Sequence, residues 1–174
     1  MNKTELAMHD IQAGSRSVNR LAYLPPQRTQ QTWQMKVLIA DDDLVSRRLL
    51  EGYLKKWDYQ VTLVTNGAEA WEMFQAEEFP IVICDWMMPE MDGPELIRRI
   101  RSSDKPGYVY TLLLTAKSRK DDLVEGMESG ADDFISKPFD HDELRMRLRA
   151  GERIIHLEQS LREARATIEG NKKV

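Results

Sequence analysis

From residue 36 onward, short apolar runs alternate with longer stretches in which apolar side chains recur at helical spacing. Short apolar runs bounded by turn formers read as strands covered on both faces, which predicts strands at 36–40, 60–64, 81–84, 109–114 and 133–136. The amphipathic stretches between them predict helices around 44–57, 67–77, 94–103 and 119–129. Gly67 and Gly93-Pro94 stand where two of these helices open, and Gly130 stands where a C-terminal cap is wanted. Strands alternating with helices in this way predict a doubly wound α/β domain built on a five-stranded parallel sheet. In such sheets, ligands sit beyond the carboxyl ends of the strands, where the strand order reverses. Chemistry should therefore be sought at strand ends.

The two flanks of this pattern differ from it. Residues 1–34 are polar and irregular, with a short helix predicted between Thr4 and Gly14 and a break at Pro25-Pro26. They read as a flexible N-terminal arm before a domain at 35–145. Residues 146–174 extend the last helix. There Ala150, Ile154, Leu157, Leu161, Ala164 and Ile168 form a heptad seam, with Arg153 and Glu158 at flanking positions. The seam predicts a parallel coiled coil, and so a homodimer. Gly151 and the small alanines weaken that reading, and a surface helix packed on its own domain competes with it.

Composition narrows the partners. A formal net charge of −4 and the lack of a Lys/Arg-rich block argue against nucleic-acid binding through this chain. No apolar run approaches the length of a membrane span, and the N-terminus has no secretion signal, which points to the cytoplasm. The single cysteine, Cys84, follows Ile81, Val82 and Ile83 and reads as a buried strand residue.

Four of the five predicted strands end in groups capable of chemistry: the first in Asp41-Asp42-Asp43, the third in Asp85, the fourth in Thr115, the fifth in Lys137-Pro138. Any one of these alone is commonplace, since a carboxylate after a strand is often only a cap or turn former. Together, on neighbouring parallel strands, they would converge on one pocket. Carboxylates so placed repel unless something positive lies among them. Hard oxygen ligands without His or Cys select magnesium or a similar ion.

Asp41-Asp42, the run from Asp85 to Gly93, Thr115-Ala116, and the run from Gly130 to Phe139 together resemble the receiver domains of two-component response regulators. The resemblance covers about residues 35–145 and implies a flavodoxin-like sheet of order 2-1-3-4-5. It further implies that Asp85 accepts a phosphoryl group from a sensor histidine kinase or phosphotransfer protein. Asp42 would bind Mg2+ directly, Asp41 would contribute through charge or a bound water, and the backbone carbonyl of Met87 would complete the protein ligands beside Asp85. Lys137 would pair with Asp85 and then with the phosphoryl group, and Thr115 would donate to a phosphoryl oxygen. Phe134 stands at the family's aromatic switch position, where a core-ring role is equally open. A cis Lys137-Pro138 bond is expected. Asp43 and Asp92 read as cap or turn residues, and Trp86 and Met88 as packing near the site. Met87 and Lys117 flank the expected path of attacking water.

The last helix resembles those preceding diguanylate cyclase or other enzymatic output domains, so a receiver fragment of such a regulator, acting through a downstream output domain or protein, is an alternative. A haloacid-dehalogenase-like phosphohydrolase would also use an Asp nucleophile and magnesium. That family has a second Asp two residues on as proton shuttle, and Met87 stands there instead. A scaffold with a degenerate pocket would have lost one of Asp42, Asp85, Thr115 or Lys137. The pattern favours a switch over an enzyme.

Overall fold

The computed structural model describes residues 34–116, 124 and 126–171. Strands β1 (Lys36–Ala40), β2 (Gln60–Val64), β3 (Ile81–Asp85), β4 (Tyr110–Thr115) and β5 (Asp133–Ser136) form one sheet in the order β2-β1-β3-β4-β5. All neighbouring pairs are parallel. Helices α1 (Leu44–Lys56), α2 (Gly67–Ala76), α3 (Gly93–Arg101) and α4 (His141–Asn171) join and flank them. The sheet order and the flanking helices agree with expectation. Of the helix expected at 119–129, residues 124 and 126–128 are helical and the remainder lies outside the described residues, as do the helix near Thr4 and nearly all of the arm.

The sheet is apolar on both faces because helices cover both. Leu38, Ala40, Val82, Cys84 and Leu113 pack with Ala70 and Phe74 of α2 and with Leu96, Ile97 and Ile100 of α3. The alternate positions Val37, Ile39, Ile81, Ile83, Leu112, Leu114 and Ile135 face Leu50 and Leu54 of α1 and Leu144 and Leu148 of α4. Strand alternation thus separates two cores, and each side chain's parity decides which one it joins.

Three helices begin just beyond strand ends with the same device. Asp43, Asn66 and Asp92 each accept a hydrogen bond from the backbone N–H three residues on, at 2.8 Å, which satisfies one orphan donor of the first turn. Asp43 and Asp92 are therefore cap residues, as the sequence implied. Helix α3 stops at Arg101, short of the predicted 103, because the Ser102 and Ser103 hydroxyls donate to the carbonyls of Arg98 and Ile100. Gly130, at φ +90°, occupies the left-handed region expected of a C-terminal cap.

Helix α4 is a single element across the boundary drawn at 145. Leu144, Leu148 and Gly151 are buried, and Ile154 and Ile155 are half-buried against the same core. From His156 to Gly170 every residue is exposed. Ile154, assigned to the heptad seam, is thus shared with the domain's own core. Gly151 has a packing reason: a Cβ there would lie 2.4 Å from the ring of Tyr110, which is 1% exposed.

Gly151→Ala therefore has a sign that helix propensity alone would get wrong. In an open helix the change gains up to about 1 kcal/mol, whereas forcing a methyl against Tyr110 costs about 1–3 kcal/mol. Urea denaturation should show Gly151→Ala destabilised. Gly52→Ala, where nothing lies within 4 Å of the new Cβ, should be neutral or stabilised.

Candidate functional site

The sheet order places β1 and β3 side by side where the chain reverses direction across the sheet, and both strands end in carboxylates. Asp41 follows β1 and is fully buried; Asp85 is the last residue of β3 and is partly buried. Carboxylate oxygens of Asp41, Asp42 and Asp85 all lie within 4.8 Å of one another. Lys137, after β5, reaches across this edge: its Nζ donates to Asp41 Oδ2 at 2.8 Å and to Asp85 Oδ2 at 2.9 Å. The Lys137-Pro138 bond is cis, as expected.

Thr115 ends β4 at the same edge and is fully buried; its carbonyl accepts from the Lys137 N–H at 2.7 Å. By alternation it continues the face of Leu113, while Asp85 continues the face of Ile83, so the two strand ends flank the pocket from opposite sides of the sheet. Phe134 pairs in register with Leu113 and is half-buried against the same core, a placement compatible with both of its roles. Met87 projects its side chain outward at 64% exposure. Trp86 is buried and Met88 half-buried in the core behind the loop, the packing role expected of them. Leu157, Leu161 and Ile168 stand on the exposed part of α4, far along the chain from this pocket.

Two further residues, not anticipated from sequence, hold the pocket's floor. Ser46 Oγ donates to Asp41 Oδ2 at 2.6 Å, and Arg47 Nη1 donates to the Asp41 carbonyl. Both lie in the first turn of α1, where a hydroxyl and a guanidinium read as ordinary surface groups; only the approach of that turn to the end of β1 gives them a task. Gly93 has a second role besides opening α3, since a Cβ there would fall 2.4 Å from the Asp85 carbonyl oxygen.

Burial pushes the Asp85 carboxyl above its ordinary range; hydrogen bonding and attraction from Lys137 oppose this, and the Asp41 charge adds to it. Burial works against the Lys137 ammonium, but its bonds to Asp41 and Asp85 outweigh that and hold its pKa above the usual lysine value. Cys84, wholly buried, has its thiol pushed up by burial first and by the Asp85 and Asp92 charges after it. Three clustered carboxylates, without imidazole or thiolate among them, fit a hard divalent cation such as Mg2+.

The chain is thus a doubly wound α/β domain with clustered aspartates and a lysine at the carboxyl edge of its sheet. More closely, the chain belongs to the response regulator receiver domain family, whose model matches residues 37–149. It is 37% identical over 115 residues to the transcriptional regulatory protein ZraR of Klebsiella oxytoca, a match covering 66% of this chain and 26% of that protein. The chain thus spans about a quarter of that relative's length. Among solved structures, it is similar to the chemotaxis response regulator CheY4 of Vibrio cholerae, with a TM-score of 0.64 and 29% identity over 68% of this chain and 98% of that one. It is also similar to the signal receiver domain of an HD domain-containing protein from Pseudomonas fluorescens Pf-5, with a TM-score of 0.66 and 26% identity over 72% and 99% of the two chains. Among the described residues, no helix is long and apolar enough to cross a membrane.

The raised Asp85 pKa fixes the sign of a stability effect. A carboxyl that holds its proton more tightly when folded loses stability as pH rises from its unfolded pKa of 3.8 through its higher folded value. Asp85→Asn should therefore raise the urea midpoint of the metal-free protein at pH 7. The advantage should close as pH falls below 3.8, where wild-type Asp85 is also neutral.

Proposed function

We propose that this receiver is a phosphorylation switch in which Asp85 is the phosphoacceptor. The observation that carries the reading is the Lys137 ammonium held between Asp41 and Asp85 beside the third carboxylate of Asp42. The donor is a phosphohistidine on a sensor histidine kinase or phosphotransfer protein in the cytoplasm. An Asp85 oxygen forms a bond to phosphorus as the P–N bond breaks, and that electron pair returns to the imidazole nitrogen. An ionised carboxylate serves as nucleophile here and is left as an acyl phosphate.

Asp42 and Asp85, with Asp41 beside them and the Met87 backbone carbonyl, would hold Mg2+. When bound, the ion supplies charge neutralisation for the phosphoryl oxygens. Lys137 faces the same oxygens as a point charge, and Thr115 donates a hydrogen bond to one of them. Contact with Thr115 favours an inward Phe134, and the phosphoryl group acts by stabilising one of two arrangements more than the other. The exposed, apolar side chain of Met87 offers no base to activate water, which supports a slowly decaying switch over a hydrolase. The output is delivered by a further domain or a separate protein.

Incubation with acetyl phosphate and Mg2+, followed by intact-mass measurement, should show one labile phosphoryl group on the wild type and none on Asp85→Asn. Labelling of that variant at the wild-type rate would remove Asp85 from its role.

Homodimerisation through α4 accompanies this switch. In support, Leu157, Leu161 and Ile168 are 64%, 52% and 57% exposed on one seam. Light scattering should show a larger dimer fraction with beryllium fluoride, which mimics the acyl phosphate, than without it. Identical masses across a wide concentration range would refute phosphate-linked assembly.

A further inference from the structure

Asp41 is the most constrained group in the pocket. It is fully buried, and its carboxylate accepts three hydrogen bonds from the protein: the Asp43 N–H on Oδ1 at 2.9 Å, and the Ser46 hydroxyl and Lys137 ammonium on Oδ2 at 2.6 and 2.8 Å. Two oxygens provide about four lone-pair directions, so among the described residues three of them are filled. Of the three donors, the Asp43 N–H is backbone and Lys137 is shared with Asp85. Among the described residues, Ser46 supplies the side chain that bonds Asp41 and no other carboxylate of the cluster.

The Ser46 hydroxyl is itself held in place. Its backbone N–H donates to the Asp43 cap at 2.8 Å, fixing the first turn of α1 under the end of β1. Arg47, the next residue, bonds the Asp41 carbonyl, so the same turn grips Asp41 at both backbone and side chain.

We propose that Ser46 is a positioning residue for the cation site: its hydroxyl holds Asp41 turned toward Asp42 and Asp85 before any cation binds. The proposal rests on the magnesium reading given above. Its physical basis is repulsion. Three carboxylates within 4.8 Å of one another outnumber the one ammonium, Lys137, that bridges two of them, and so repel when no metal ion is present. Unless fixed donors keep Asp41 facing its neighbours, it relieves the repulsion by rotating away. A cation must then recover the rotation on binding, which lowers its affinity. With Ser46 present, the fold has already met that requirement, as hydrogen-bonded supports of metal ligands do generally.

Mn2+ serves as the probe, because it prefers oxygen ligands of the same kind and its free form is counted directly by electron paramagnetic resonance. Wild type, Ser46→Ala and Ser46→Thr are titrated, and the urea midpoint of each is measured in EDTA. Ser46→Ala is expected to weaken Mn2+ binding about tenfold, within the range for hydrogen-bonded partners of metal ligands. Ser46→Thr, which keeps the hydroxyl, is expected to stay within about threefold of wild type. Excess Mg2+ should displace the bound Mn2+ from all three proteins. A change in urea midpoint alone, with Mn2+ affinity unchanged in Ser46→Ala, overturns the proposal by reducing Ser46 to a helix-start residue. Equal weakening in Ala and Thr variants overturns it as well, because the hydroxyl is then not the cause. Wild type that binds no Mn2+ defeats the magnesium reading itself and the role of Ser46 with it, an outcome visible in the wild-type curve alone.

Discussion

The constraint on which the domain turns is the crowding of negative charge at one edge of its sheet. Asp41, Asp42 and Asp85 are brought together by the parallel pairing of β1 with β3, and no local preference of the chain would choose that arrangement. The fold meets the repulsion with fixed donors. Lys137 bridges two of the carboxylates, the Trp86 N–H donates to Asp85 Oδ1 at 2.8 Å, and the first turn of α1 grips Asp41. Burial still makes Asp85 harder to charge than an open carboxyl.

The rest of the architecture serves to hold that edge rigid. Each face of the sheet is covered by its own core, so the strand ends cannot shift without disturbing packed layers on both sides. Tightness is greatest where glycine permits backbone contact. Gly93 lets α3 start against the Asp85 carbonyl, and Gly151 lets α4 lie on the Tyr110 ring. The two lie on opposite faces and together clamp the middle of the sheet.

Much of this was legible in the sequence, for a physical reason. Strands buried on both faces must be apolar throughout, so a charged residue that ends such a run marks the rim of the sheet. Asp41, Asp42, Asp85 and Lys137 stood out on those grounds, and the structure brings their side chains together. Ser46 could not be found that way, because its value comes from α1 crossing the end of β1 and nothing in its own neighbourhood signals that. Gly151 was read as a weak point of a helix when it is a fitted contact, since its partner Tyr110 lies on a strand far back in the chain. Periodicity registers that the last helix continues past 145, and only burial tells where it leaves the core.

That departure gives α4 the character of a lever. Its root is wedged against β4 by Leu148 and Gly151, and its outer part, from His156 to Asn171, is one unbroken helix. At a rise of about 1.5 Å per residue the outer part is ~23 Å long, and as far as Arg165 it borders the loop at Lys105 to Val109, so a tilt of about 10° at the root sweeps its tip through roughly 4 Å. The same stiffness makes it a counter of angle. Each residue added or removed turns everything beyond it by about 100° around the helix axis. The length of this arm thus sets which direction its far end faces.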